Sequence, residues 1–111
     1  MNSLRNKVQL IGHLGMQPEI KVLDSGKKLA KFSIATKEVY KNQKGEKVED
    51  TQWHNIIMWE KNAELAEKYL TKGKEIALEG KLTSRSYEDK NGDKKYITEI
   101  VASEFVMLGK K

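Results

Sequence analysis

The sequence predicts an all-β protein, a small β-barrel of five strands with one short helix between the third and fourth. Three observations carry that expectation. Alternating or β-branched stretches recur along the chain, punctuated by eight glycines. A helical pattern is confined to residues 61–70. The order of elements, three strands, a helix and two strands, is that of a small Greek-key barrel.

Residues 5–14 alternate, with Val8, Leu10 and Leu14 on one side and Lys7, Gln9 and His13 on the other. Gly12 interrupts the apolar side, as a bulge or tight bend in a curved strand does. Pro18 breaks the continuation, and a short strand is expected over 19–23. The turn DSGKK leads into 29–40, LAKFSIATKEVY, where Ala30, Phe32 and Ile34 share a face. KNQKGEK is polar and glycine-containing, so it reads as a long hairpin loop from which strand 51–59 returns.

In the helical segment Asn62 is placed to cap the start. Leu65–Tyr69 and Ala66–Leu70 form apolar pairs four residues apart, Tyr69 packing the helix, and Glu64 to Lys68 is an ion pair at the same spacing. Gly73 suits the left-handed position after a helix. In 74–87, Ile76, Leu78, Gly80 and Leu82 share one parity, while Lys81, Thr83, Arg85 and Tyr87 share the other. KNGD at 90–93 carries the Asn-Gly hairpin signal, and 95–108 forms the last strand with Phe105 in the core. Five strands with this helix placement match the Greek-key OB-fold.

At 111 residues the chain reads as one domain, 1–111, able to hold a core without covalent staples. It has no cysteine, which excludes disulfides, thiolate metal sites and a cysteine nucleophile. The N-terminus lacks the apolar run of a signal peptide, and no segment approaches the ~18 apolar residues of a membrane span. A cytoplasmic protein with no membrane partner is expected. The net charge of +5 favours a polyanionic partner. Both signs are spread throughout the chain, however, and a solvated surface has the same balance.

Both tryptophans stand at the ends of one segment, WHNIIMW. Strand alternation points Trp53, Asn55, Ile57 and Trp59 one way and His54, Ile56 and Met58 the other. The second set fills either the barrel or a subunit contact. The first puts two indoles about 20 Å apart on one face, by a rise of ~3.3 Å per residue. A core does not usually place Asn between two tryptophans, whereas an outward stacking face can. The competing reading is a second hydrophobic cluster under a loop. Tyr40 ends its strand beside the lysine-rich loop, and Tyr87 follows Arg85 on the outward parity. Aromatic rings interleaved with Lys and Arg suit single-stranded nucleic acid, because every base has a π face and every linkage a negative phosphate.

These residues carry a family resemblance. The chain resembles the bacterial single-stranded DNA-binding proteins (SSB) across essentially its full length. The motifs are NKVQLIGHLG at 6–15, PEIK at 18–21, FSIAT at 32–36, TQWHNIIMW at 51–59, AELAEKYLTKG at 63–73 and EGKLTSRSYEDKNG at 79–92. The resemblance implies an OB-fold subunit that assembles as a homotetramer and covers single-stranded DNA without sequence preference during replication, recombination and repair. It would be cytoplasmic and nucleoid-associated, with no cofactor. The family's stacking positions fall on Tyr40, Trp53, Trp59 and Tyr87, and its basic DNA-contacting positions on Lys61, Lys72 and Arg85. An oligomer interface is expected at Lys7, Gln9 and His54.

Three departures bear on what carries over. Tyrosines stand at 40 and 87, where many members have tryptophan, so weaker stacking is expected there. His13 stands where the family typically has Asn. The family usually continues into a tail whose acidic, aromatic-tipped end recruits replication and repair enzymes, whereas this chain ends at VMLGKK. The expectation is an OB-fold domain from a tailless branch or a truncated chain, and recruitment through a tail is not carried over.

Enzymatic readings find no support in the sequence. His13 and His54 lie on different strands without HxH or HExxH spacing. Glu49-Asp50 and Glu88-Asp89 sit in polar turns and read as solvated charge. GKEIALEGK has six residues between its glycines where a phosphate loop has four, and it reads as a strand. The rivals are another OB-fold binder, such as a primosomal or RNA-binding barrel, and a purely structural assembly subunit with buried tryptophans.

Overall fold

The computed structural model describes residues 4–109. A 3-10 turn at Leu4–Asn6 precedes β1 (Val8–Leu14), β2 (Glu19–Val22), β3 (Lys28–Lys41) and β4 (Lys47–Trp59). Helix α1 (Glu60–Tyr69) follows, then β5 (Glu75–Glu88) and β6 (Lys94–Met107). The strands run in the order β1-β5-β6-β4-β3-β2, and pairing of His13 and Leu14 with Ala35 and Ile34 joins β1 back to β3. Five strands thus close into the expected OB-fold barrel, with β2 added outside along β3 and the helix between β4 and β5.

Closure needs sharp bends, and glycines sit where the backbones touch. A side-chain carbon on Gly12 would fall on the Ala35 carbonyl, where β1 leaves β5 for β3. One on Gly80 would fall on the Val101 carbonyl, beside a register shift between β5 and β6. Asn6 extends the β1–β5 ladder with its side chain, donating to the Leu82 carbonyl (3.0 Å) and accepting from the Leu82 amide (2.9 Å).

The inward residues of the strands make one core: Leu14, Ala30, Phe32, Ile34, Ile56, Met58, Ile76, Leu78, Ile100 and Ala102. Ile56 and Met58 therefore fill the barrel. The helix closes one end with Ala63 and Ala66, three apart on one helix face, and with Leu70 just past its last residue. Phe105 packs against this core from a partly buried position.

Several local expectations differ from the structure. Asn62 is not the cap. Trp59 holds that position without a side-chain bond, and Asn62 instead donates to the Ser103 carbonyl (3.1 Å). Tyr69 is exposed, so the helix packs through its alanines. Gly73 does take positive φ, but beyond an extended Leu70, so it shapes a turn rather than ending the helix. Leu82 keeps the core parity yet is half exposed, because β5 has already left the barrel there. The 41–47 loop is shorter than expected, since Lys41 and Lys47 still pair.

Two hairpins project from the barrel. Burial in β3 and β5 is confined to their first halves, and the distal residues are exposed. The radius of gyration of 16.2 Å exceeds the ~13 Å of a spherical domain this size for the same reason. The tips share one design. Asn42 Oδ1 accepts from the amides of Lys44 and Glu46, and Asp89 Oδ1 from those of Asn91 and Asp93. Gly45 and Gly92 supply the positive φ in each. The Asn-Gly signal at 91–92 does mark a turn, but of five residues closed by Asp89 rather than of two.

Candidate nucleic-acid interface

Backbone register decides which side chains share the outer surface. β3 and β4 pair Leu29 with Trp59, Lys31 with Ile57, Ser33 with Asn55 and Ala35 with Trp53. β4 and β6 pair Ile57 with Val101, and β6 and β5 pair Ile97 with Arg85 and Lys95 with Tyr87. Paired residues stand on one side of a sheet. One outer face therefore runs from Trp53 and Trp59 through Glu99 to Arg85 and Tyr87. Its aromatics are open to solvent, with Trp53 62%, Tyr87 48% and Trp59 37% exposed.

Tyr40 is placed differently. It is 53% exposed, but its parity is that of Phe32 and Ile34, so it lies on the other side of the β3–β4 hairpin from Trp53. The structure brings Trp53, Trp59, Arg85 and Tyr87 onto one face and sets Tyr40 on the reverse of the projecting ribbon.

Trp53 has a seat. A side-chain carbon on Gly15 would fall on its Cζ3 and lie 2.8 Å from Cη2, so only glycine leaves room for the ring. Ser33 Oγ would lie 3.3 Å from the same carbon. Trp59 stands where β4 turns into α1 without a loop, and Glu60 makes that corner at φ 54°.

Ion pairs separate the basic residues. Among the described residues Lys7 meets Glu79 (3.4 Å), Lys28 meets Glu67 (2.7 Å) and Lys37 meets Glu49 (3.7 Å). Lys61, in the first turn of α1, and Lys72, in the turn before β5, are exposed and form no ion pair there. The same holds for Lys41, Lys44 and Lys47 around the first tip. Arg85 is paired: its Nε donates to Glu99 Oε1 at 2.9 Å and Nη2 to Oε2 at 3.2 Å. Glu99 is the buried charged residue of the described chain, only 3% exposed, and it raises the guanidinium's pKa above its ordinary value.

Lys7 and Gln9 both reach Glu79, Gln9 Nε2 at 3.1 Å from the oxygen that Lys7 contacts. His54 Nε2 lies 3.0 Å from Thr36 Oγ1. All three thus have partners within the chain; Lys7 and Gln9 lie along β1, which among the described residues pairs with β3 only at His13 and Leu14, and His54 lies on β4 opposite Ile34. The described residues hold no cluster of His, Asp or Glu suited to a metal, and no helix among them is long and apolar enough to cross a membrane.

Sequence reasoning did not find Glu99 or Gly15. Glu99 is diagonal to Arg85 across β5–β6, a relation that appears only once the register is known. Gly15 carries no mark in the sequence that separates it from the other glycines that punctuate the chain.

Known proteins resemble this chain in sequence and fold. The profile of the single-strand binding protein family matches residues 5–108. Single-stranded DNA-binding protein 1 of Chlorobaculum tepidum is 48% identical over 107 residues, 96% of this chain and 66% of that protein. The single-stranded DNA-binding protein of Neisseria meningitidis serogroup A is 46% identical over 94% of this chain and 60% of that protein. The chain therefore spans less than two-thirds of the length of these relatives. Among solved structures, a Plasmodium falciparum SSB in complex with ssDNA superposes with a TM-score of 0.87 at 37% identity, covering 98% of this chain and 100% of that one. A deletion mutant of the single-stranded DNA binding protein from Thermus aquaticus gives 0.82 at 27% identity, over 94% and 50%. With the barrel, its helix and nearly every residue matched, the chain belongs to the single-strand binding protein family.

Proposed function

We propose that this domain binds single-stranded DNA without sequence preference and covers strands exposed in replication, recombination and repair. The observation that carries the reading is the outer face itself. Trp53, Trp59 and Tyr87 stand in solvent on one sheet surface, where aromatics with no ligand would be better buried. Stacking on those rings supplies affinity for any base, and Lys61 and Lys72, exposed and without an ion pair among the described residues, supply phosphate contacts. Tyr40 adds a ring on the reverse of the β3–β4 hairpin, which suits a strand that passes around the projecting finger. No step of this activity needs a metal, a cofactor or a catalytic group.

The reading extends to assembly. Among the described residues, the β1 edge leaves backbone groups of residues 8–12 without a strand on the side away from β5; exposed Ile11 stands on that strand, and exposed Val106 lies across β5 from it. A second copy covering that edge, near Lys7, Gln9 and His54, gives a symmetric oligomer, and two such pairs a homotetramer. Sedimentation at micromolar concentration should give about four times the 12.7 kDa subunit mass, and a monomer would refute it. Titration with oligo(dT) should quench tryptophan fluorescence, while a duplex of equal length should not. Absence of quenching and of binding would remove the single-strand reading.

A further inference from the structure

Arg85 is in an unusual position for a phosphate contact. Its carboxylate partner is buried, and the fork of two bonds from Nε and Nη2 occupies both oxygens of Glu99. Such a pair carries no net charge, and the planar match of guanidinium and carboxylate fixes the orientation of the plane. The Arg85 side chain is nevertheless 52% exposed. It stands two residues from Tyr87 on the same face of β5 and opposite Ile97 on β6. Glu99 also lines a cleft of ≈ 260 Å³ with Ser33 and Asn55, the pair next to Trp53 on the β3–β4 register. What Arg85 offers outward is a flat, held π surface between the two aromatic regions.

We propose that Glu99 is a positioning residue that holds the Arg85 guanidinium flat and charge-compensated, so that Arg85 serves the DNA as a base-stacking platform and not as a phosphate anchor. The proposal rests on the single-strand reading and assigns a role within it. A guanidinium stacks on planar rings through its face while its edge stays bonded to a carboxylate. A lysine at this place would keep the charge and lose the plane. Counterion release, which tracks net charge brought to phosphates, would then owe nothing to residue 85.

The test is the slope of log K against log salt for oligo(dT), in which each phosphate neutralised on a single strand contributes about −0.7. The double variant Arg85→Gln/Glu99→Gln removes both charges and leaves no buried carboxylate alone. It should keep the wild-type slope while affinity falls roughly 5- to 150-fold, the range of one stacking contact. Arg85→Lys should lose affinity to a similar degree, again at constant slope. Glu99→Gln should free the guanidinium and steepen the slope by about 0.7. If that single variant does not fold, as circular dichroism would show, the other two decide. A double variant whose slope is shallower by about 0.7, or an Arg85→Lys protein with wild-type affinity, would overturn the proposal. Wild-type protein that fails to bind oligo(dT) at all would instead overturn the reading on which it rests.

Discussion

Trp53 rests the outer corner of its six-membered ring on the backbone of Gly15, so closely that a methyl group there would occupy the ring's place. A ring held at one edge by backbone and open over most of its surface is oriented before any ligand arrives. Gly15→Ala should therefore displace the indole without unfolding the barrel. Affinity for oligo(dT) should fall by less than Trp53→Ala causes, and the tryptophan emission maximum should move. Unchanged emission and affinity would mean that the ring swings clear freely.

Removing either ring tests the stacking face directly. Where single strands are bound, base–aromatic stacking is worth ~1–3 kcal/mol per base by alanine substitution, so on the proposed function Trp53→Ala and Trp59→Ala should each weaken binding by roughly 5- to 150-fold. Their stabilities should differ. Trp59 is the less exposed ring and stands at the strand–helix corner, so Trp59→Ala should lower Tm more. Normal affinity in both folded variants would exclude stacking at these sites.

Lysine substitutions should read differently. Lys72→Ala removes an exposed charge with no ion-pair partner among the described residues, so it should flatten the salt slope by about 0.7 and weaken all base compositions alike. Trp59→Ala should leave that slope nearly intact, because stacking displaces few counterions. Salt titrations of the two variants side by side make the comparison. An unchanged slope in the lysine variant would make Lys72 a solvated charge only.

Much of this was legible in the chain. Alternation places Phe32, Ile34, Ile56 and Met58 inside and Trp53 and Trp59 outside without any coordinates, because strand parity is a local property. What stayed hidden depends on partners distant in sequence. The seat of Trp53 lies 38 residues away by numbering, at Gly15, and the state of Arg85 depends on a register set by the bulge near Gly80. Asn62 had the right chemistry for a cap, but the chain enters the helix straight from β4, one turn too early for it to serve.

That abrupt entry carries its own test. Glu60 is a non-glycine residue at positive φ, a conformation that costs an L-residue roughly 1–2 kcal/mol. Glycine avoids that term and gives back ~0.5–1 kcal/mol in chain entropy. Glu60→Gly should thus raise stability by a few tenths to about 1 kcal/mol, a Tm increase of a few degrees. Thermal melts measure it, and a lower Tm would show that the Glu60 side chain, which accepts from the Lys28 amide (3.4 Å), matters more than its backbone.

Glu79 predicts a pH dependence. The amide of Gln9 and then the ammonium of Lys7 hold its carboxyl below the ordinary 4.5. The folded state therefore binds this proton more weakly than the unfolded chain does. The contribution is present above pH 4.5 and is lost as pH falls through the depressed folded value. Melts of wild type and Glu79→Gln should differ slightly near neutrality and converge in acid. The gap is small because exposed pairs are screened. A gap independent of pH would mean that Glu79 acts through shape.

The two projecting hairpins have a consequence for how the molecule comes apart. Their roots are tied into the barrel, while their outer ladders rest on hydrogen bonds and exposed pairs such as Lys37 with Glu49, with water on both sides. Such ladders open locally at far less free energy than the whole domain. Amide protons of Ile34 and Met58 should therefore exchange only through global unfolding. Those near Tyr40 and Tyr87 should exchange much faster and become protected when DNA lies across them. The surface proposed to meet DNA is held by fingers that can yield one at a time, while the barrel beneath them stays whole.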